Sequence, residues 1–533
     1  MSELGVVLVS LAALAVALTS VLARRFAIPA PAAMLGLGLL AAFAPGLPPV
    51  VIEPELVLLT LLPPILYASG VGMSWRGFRS NLRPILLLAI GCVVFTAGTL
   101  AAVLHWLFAW PLALGFLLGA IVSPPDSVAP AAVLRNMPVP RRLKTVLEGE
   151  SLINDATALV AFSFALGALT SGQFSLPAAV LSFLAIVIGE VCFGCLLGWA
   201  ALKLRHWANE PSAEILLALA TPYLAFWQPH HFGGSGVVAC VTAGLWVSWN
   251  GRRDIASATR LQGYFIWNLV TWAVEATAFL LTGLQAKALT QALATSGWLQ
   301  ALEVSVVTVV AVVVVRFIWV FPATYLPRLI PAVRRADPHP HWSFPFFVAS
   351  AGIRGVVSMI AALSIPLTLA AAPFPHRDEI LIATFTTIAV TLFGLGALLG
   401  PLALRLGLAD AGRRETDADH RDEQQVRLAA IDRVLAVLDR EGQATCNAHE
   451  VAALRRRQCD RRGQLDALLD PGTACSQPSG ALQLRLLDTE RAAISEAYNA
   501  NRLTDPARRR IERELDLEEA RIRHALASSG TSH

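Results

Sequence analysis

Residues 121–157 read I-V-S-P-P-D-S-V-A-P-A-A-V-L-R, then a basic turn, then T-V-L-E-G-E-S-L-I-N-D-A-T. The stretch places Asp126, Glu150 and Asp155 inside apolar runs long enough to span a bilayer. An ionisable group in hydrocarbon costs about 2.5 kcal/mol or more, so three carboxylates this close together point to an ion pathway rather than to packing. Pro124 and Pro125 remove two backbone donors and disfavour helix in the preceding residue, so the chain is expected to unwind around Asp126 and expose carbonyls. Further on, Glu150 and Asn154 are four apart, as are Ser151 and Asp155, which predicts one broad helix face of carboxylate, hydroxyl and amide oxygens. Such hard ligands suit an alkali cation. A buried carboxylate also takes up a proton, so one group can serve either ion but not both together.

The rest of the chain agrees with a membrane setting. Of 533 residues, 55% are hydrophobic and 15% charged, with a mean hydropathy of +0.58, far more apolar than a soluble domain of this size. A net charge of +4 is too small to suggest nucleic acid. The seven cysteines form no disulfide framework: four lie in apolar runs, and the Cys192/Cys195 spacing sits within a lipid-embedded helix, where packing outweighs redox chemistry. Residues 1–406 read as a transmembrane domain and 407–533 as a water-soluble helical tail. The expected fold is therefore an all-α polytopic membrane protein.

Thirteen candidate spans of about 15 to 28 residues fall between residues 3 and 405, including 111–134, 145–170, 262–286 and 343–369. With an outside N-terminus and a cytoplasmic C-terminus, seventeen Lys and Arg fall in inside loops and two, Lys287 and Arg377, in outside ones, as the positive-inside rule requires. The fifth span carries S-P-P-D-S and the twelfth S-A-G-I-R-G-V-V-S (350–358), each an interruption of an apolar run. They cross in opposite directions, which predicts two inverted six-helix repeats with crossed broken helices, the pattern that marks a transporter's substrate site. Asp155 lies 11 residues past Lys144 and Arg354 11 past Ser343, each about 16 Å along a helix, and so both reach the midplane. Arg354 either caps the unwound carbonyls or, the favoured expectation, pairs with a carboxylate, for which Glu275 is the candidate.

The segments G-E-S-L-I-N-D (149–155), P-D-S-V-A (125–129) and G-I-R-G-V-V-S (352–358) resemble the signatures of sodium/proton exchangers of the cation:proton antiporter-1 family, in its bacterial branch. The resemblance implies exchange of Na+ for H+ by alternating access in the inner membrane, a homodimer, and no cofactor. It also implies that Asp155 carries both ions, surrounded by Glu150, Ser151 and Asn154, and that the Asn-Asp pair gives electroneutral one-for-one exchange. Many members read Thr-Asp-Pro where this chain has Pro125-Asp126-Ser127, so a hydroxyl ligand is missing there unless Ser123 or Ser127 replaces it, and K+ or Li+ stays open as the cargo. The competing classes fare worse. An intramembrane protease would need G-x-G-D, a zincin would need a second histidine after H-E-V-A-A-L (449–454), and a channel would not need two interrupted spans.

In the tail, Leu428, Ile431, Leu435 and Leu438 follow a 3-4-3 spacing, Pro471–Gly480 marks a break, and Asp505-Pro506 supplies a cap and first-turn proline for a further helix. The spacing of Cys446, His449, Cys459 and Cys475 fits no zinc site. A small regulatory or self-associating module is expected.

Overall fold

The computed structural model describes residues 3–26, 28–45, 54–134, 137–171, 176–208, 210–255, 257–296, 298–337, 339–369, 372–444, 448–469, 483–484, 486–490, 492, 494, 511 and 514–523. The chain opens with α1 (Glu3–Arg25), α2 (Ala30–Ala42) and α3 (Pro54–Gly72), followed by a short α4 (Trp75–Ser80) whose Gly77 N–H donates to the Ser74 hydroxyl at 3.3 Å. A long α5 (Leu82–Phe108) leads to α6 (Leu112–Val122) and α7 (Val128–Leu134), the two halves of the fifth span. Then come α8 (Arg141–Ser171), α9 (Leu176–Ala208), α10 (Pro211–His231), α11 (Val237–Asp254) and α12 (Ser257–Leu284). Next are α13 (Ala286–Ser296), α14 (Trp298–Tyr325), α15 (Pro331–Ala336), and α16 (Ser343–Ser350) with α17 (Val356–Leu363), the halves of the twelfth span. Antiparallel strands β1 (Thr368–Leu369) and β2 (Ala372–Pro373), pairing Thr368 with Pro373, precede α18 (Arg377–Arg405), α19 (Leu408–Ala444) and α20 (Ala448–Leu469).

Among the described residues α5, α8, α9, α12, α14 and α18 are long and apolar enough to cross a membrane. Three details differ from the sequence expectation. The twelfth span stops at Leu363 rather than 369, because Pro366 offers no helical donor. Short helices α13 and α15 occupy stretches read as loops. His230 and His231, which the span limits put in an outside loop, belong to the last turn of α10, each ring 5.7 Å from Phe226 or Trp227, and His231 is exposed.

Two groups of helices pack more closely within themselves than with each other: α2, α3 and α9–α12 form one, and α5, α6, α8, α14 and α16–α18 the other. In the first, α2 and α12 meet at Gly38 and Gly283, where a Cβ on Gly283 would stand 2.8 Å from the Gly38 Cα. Lipid tails give no hydrophobic drive between helices, so close backbone approach at small residues is what holds such a pair. In the second, Leu114, Leu117, Val312, Phe347 and Ile380 are fully or nearly fully buried in one cluster. Residues 87–92 of α5 and 391–395 of α18 each widen into a π turn. The first leaves the Leu87 carbonyl to accept from Trp319 Nε1 at 2.9 Å.

The chain divides into compact units Met1–Gly412 and Arg413–His533. In the second, Arg455 Nε meets Asp439 at 2.8 Å and Arg462 Nε meets Asp432 at 2.7 Å, an antiparallel register between α19 and α20. Ile431 is buried, with Leu428, Leu435 and Leu438 half-buried on the same stripe. The Pro471–Gly480 break, Asp505-Pro506, Cys446 and Cys475 lie outside the described residues, as does the His449 side chain.

Candidate ion-binding site

The two broken helices cross at their breaks. Pro125 and Arg354 form an antiparallel bridge, and the Asp126 N–H donates to the Ile353 carbonyl at 2.7 Å. Extended backbone is tolerated at this depth only where its polar groups find protein partners, and several come from other helices. Asn154 Nδ2 donates to the Pro125 carbonyl at 2.7 Å, and the Ser127 N–H donates to the Ser151 hydroxyl at 3.3 Å. Asp126 Oδ1 accepts from the Val128 N–H at 3.1 Å, capping the positive end of α7. Gly355 lies so close beneath Asp126 that a Cβ there would stand 2.5 Å from the Asp126 Cβ.

Arg354 serves the opposite end of the break. Its Nε donates to the Val122 carbonyl at 2.8 Å, one terminal nitrogen donates to Ser123 at 3.3 Å, and the other to Gly352. Its N–H donates to the Thr391 hydroxyl at 3.0 Å, in the π turn of α18. The expected ion pair of Arg354 with Glu275 is not formed. Orphan carbonyls at the C-terminal end of α6, shut away from water, take up the guanidinium's donors instead. Glu150 is also elsewhere than expected: both of its oxygens are held by Arg316 of α14, at 2.6 and 2.9 Å, with both residues 1% exposed. Arg316 is a site residue that the sequence reading passed over, although an arginine after V-V-V-V (312–315) is the signal that flagged the other intramembrane charges.

With Glu150 neutralised, Asp126 and Asp155 remain. They line a cavity of about 420 Å³, together with Ser127, Ser151, Glu148 and Glu275. Asp155 and Glu275 have no hydrogen-bond or ion-pair partner among the described residues, and Asp126 Oδ2 and Asn154 Oδ1 are buried oxygens without one. The Ser123 hydroxyl donates back to the Ala120 carbonyl at 3.1 Å and does not line the cavity, whereas Ser127 does. Lys144, Glu148, Ser151 and Asp155, at spacings of 4, 3 and 4, form a polar stripe along α8 from its basic start to the carboxylate. Lys144 and Glu148 approach to 3.8 Å at the exposed end. The arrangement presents unneutralised oxygens on a water-sized path, ending at crossed helix ends. It can bind a cation or a proton.

Beyond the membrane-spanning helices, Asp337 accepts from Arg142 at 2.9 Å, from Arg328 at 2.6 Å, and from Arg83. Burial alone would raise its carboxyl, but the hydrogen bonds and charges of Arg142 and Arg328 outweigh that and hold it below the usual carboxylate range.

Comparison with known proteins supplies an independent view. The sodium/hydrogen exchanger transmembrane family profile matches residues 10–405. An uncharacterised Na+/H+ exchanger of Mycobacterium bovis is 31% identical over 540 residues, covering 97% of this chain and 96% of that one. A sodium, potassium, lithium and rubidium/H+ antiporter of Bacillus pumilus is 29% identical over 430 residues, covering 78% of this chain and 64% of its own. The solved sodium proton antiporter MjNhaP1 of Methanocaldococcus jannaschii shares the fold, with a TM-score of 0.58 at 20% identity over 76% of this chain and 98% of that one.

Proposed function

Because this chain belongs to the sodium/hydrogen exchanger family, a family of multi-pass membrane transporters, we propose that it exchanges Na+ for H+ at Asp155 by alternating access. The observation that carries the reading is the pair of carboxylates, Asp126 and Asp155, left without a cationic partner on one cavity beside the crossed breaks. Glu150 spends its charge on Arg316, and Arg354 spends its donors on carbonyls. Cation or proton then supplies the missing positive charge. Asp155, Asp126 Oδ2, and the hydroxyls of Ser151 and Ser127 are the ligands within reach of the cavity; Asn154 holds the Pro125 carbonyl in place, and its free Oδ1 faces the same break.

Binding is competitive, since a proton on Asp155 removes the charge that attracts the cation. One carboxylate carrying one charge each way makes the exchange electroneutral, and movement of the broken-helix group against the other helices makes the site face one side and then the other. The chain acts in the inner membrane as a homodimer, with its N-terminus outside and its C-terminus cytoplasmic. The loop arginines support that orientation, and the family resemblance supports the dimer.

A K+-transporting reading has specific support: Pro125 stands where a hydroxyl ligand is common, and the Bacillus pumilus relative is named for potassium as well as sodium. Reconstituted protein tests both. Asp155→Asn is expected to insert normally and to lose cation-dependent proton movement, and lowering the pH is expected to raise the apparent KM for Na+ in the wild type. Substantial exchange by Asp155→Asn removes Asp155 from the role. A clear dependence on membrane potential replaces electroneutral with electrogenic exchange, and parallel runs with Na+, K+ and Li+ assign the cargo.

A further inference from the structure

The cavity has two unlike walls. One, built by α7 and α8, carries Asp126, Ser127, Ser151, Glu148 and Asp155. The other, built by α3 and α12, is apolar along Leu62, Ile65, Leu66 and Phe279, with Ser69 its small polar group and Glu275 its one charged side chain among the lining residues. Glu275 is half-buried and has neither a hydrogen bond nor an ion pair among the described residues. A carboxylate in an apolar wall without a partner is costly to keep unless something in the cavity meets it. What reaches it there is whatever enters for Asp155.

The two walls also belong to different groups: α8 packs with α5 and α6, and α3 and α12 pack with α2, α10 and α11. Eight residues beyond Glu275, α12 is seated against α2 at the Gly283–Gly38 contact, so Glu275 is built into the α2, α3 and α9–α12 group. Asp126 and Asp155 ride with the broken helices. The lining of the cavity includes Lys144 and Glu148 near the start of α8, where Lys144 is exposed, as well as Asp155, so it admits ions from the side of the α8 N-terminus.

We infer that Glu275 is a stationary cation-receiving carboxylate, which draws the incoming monovalent cation onto the fixed wall opposite Asp155 and so raises its affinity from one side of the membrane only. This rests on the exchange reading above and adds a residue to it. Because Glu275 stays with its wall while Asp155 moves, it contributes to capture but carries no charge across, and leaves the stoichiometry alone. Its effect is confined to the state in which the cavity faces the α8 N-terminus. In the opposite state the ion meets Asp155 with Glu275 on the far side.

Na+-dependent proton movement, measured in everted and in right-side-out vesicles, tests this. Glu275→Gln keeps the volume and leaves no protein partner orphaned. It is expected to raise the apparent KM for Na+ by roughly five- to tenfold from the α8 N-terminal side, the effect of removing one unit charge that faces the ion. From the other side the KM stays at the wild-type value, and the maximum rate is kept on both. Glu275→Asp, which retains the charge but withdraws it from the cavity, gives an intermediate KM; it carries the test alone if the glutamine variant inserts poorly. An unchanged KM from both sides overturns the role of Glu275, as does an equal rise from both, or a loss of maximum rate with KM intact. Wild-type vesicles that move no protons when Na+ is added overturn the exchange reading instead. Wild-type exchange with an unaltered Glu275→Gln leaves that reading standing and removes only Glu275.

Discussion

Replacing Glu150 by Gln should leave Arg316 as a buried cation with half its partners gone. The pair is bidentate, at 2.6 and 2.9 Å, and both side chains are 1% exposed. Two further bonds tie Arg316 to the Val348 carbonyl at 3.0 and 3.3 Å, so the guanidinium cannot swing out to water without breaking those as well. Removing one member of a buried pair costs about 3–5 kcal/mol, most of it the penalty of the abandoned charge. Unfolding entropy of about 2.1 cal/mol/K per residue over the 412 residues of the first unit amounts to about 0.9 kcal/mol/K. The melting temperature of detergent-purified protein should therefore fall by about 4–6 °C in Glu150→Gln, and by a similar amount in Arg316→Met. The double variant, which removes both charges, should lose clearly less than the sum of the two single losses, with a coupling of about 2–3 kcal/mol. Both carboxylate oxygens being engaged, the Na+ KM of Glu150→Gln should stay within about twofold of wild type at temperatures below its melting. Additive melting shifts would refute the pairing. Normal melting with a raised KM would put Glu150 at the ion after all.

Other outcomes follow from the same geometry. Gly355→Ala would place a methyl 2.5 Å from the Asp126 Cβ and 2.7 Å from its Oδ2, so Asp126 must shift; vesicle exchange should fall severely while expression and dimensions in gel filtration stay normal. Asp337→Asn should lower the melting temperature at neutral pH, because the carboxylate meets guanidinium groups from Arg83, Arg142 and Arg328. Its folded carboxyl lies below the ordinary range, so the gap between wild type and variant should be full above about pH 4 and shrink as the pH falls through the folded value. A gap that widened in acid would contradict the assignment. Glu190→Ala removes the acceptor for the Ser235, Gly236 and Val238 N–H groups at the start of α11, at 2.6, 2.9 and 3.0 Å. Hydrogen exchange there should accelerate by the equivalent of about 1–2 kcal/mol, with transport unchanged.

Much of the site was legible from residue chemistry alone. Prolines 124 and 125 and the glycines at 352 and 355 announce breaks in apolar runs, and the breaks fall there, at 123–127 and 351–355. Counting 1.5 Å per residue along a helix set Asp155 and Arg354 at one expected level; the structure brings Asp126 and Asp155 onto one cavity and the Arg354 backbone beside Pro125. The face on which Glu150 and Asp155 were grouped is where counting stops being enough. At about 100° per residue, positions 150 and 155 point about 140° apart, and the structure divides that breadth three ways: Ser151 and Asp155 turn to the cavity, Glu150 to Arg316 and Asn154 to the Pro125 carbonyl.

By itself, then, the sequence determined the solvent of the fold, the breaks, the spacing of each charge along its helix and the chemistry on offer, because these depend on composition and on local backbone rules that act over a few residues. Tertiary structure alone decided the partners. Arg316 lies 166 residues from Glu150, and the Val122 carbonyl 232 from Arg354. Glu275 lines the same cavity as Asp155, from a helix that packs with the other group. Even Asp337, in a loop whose neighbours read only as positive-inside arginines, gathers three of them from separate helix ends. In hydrocarbon every donor and charge must find a partner or keep a cavity open to ions, and which of several equally suitable groups it finds is settled by the packing of distant helices, a quantity no local pattern encodes.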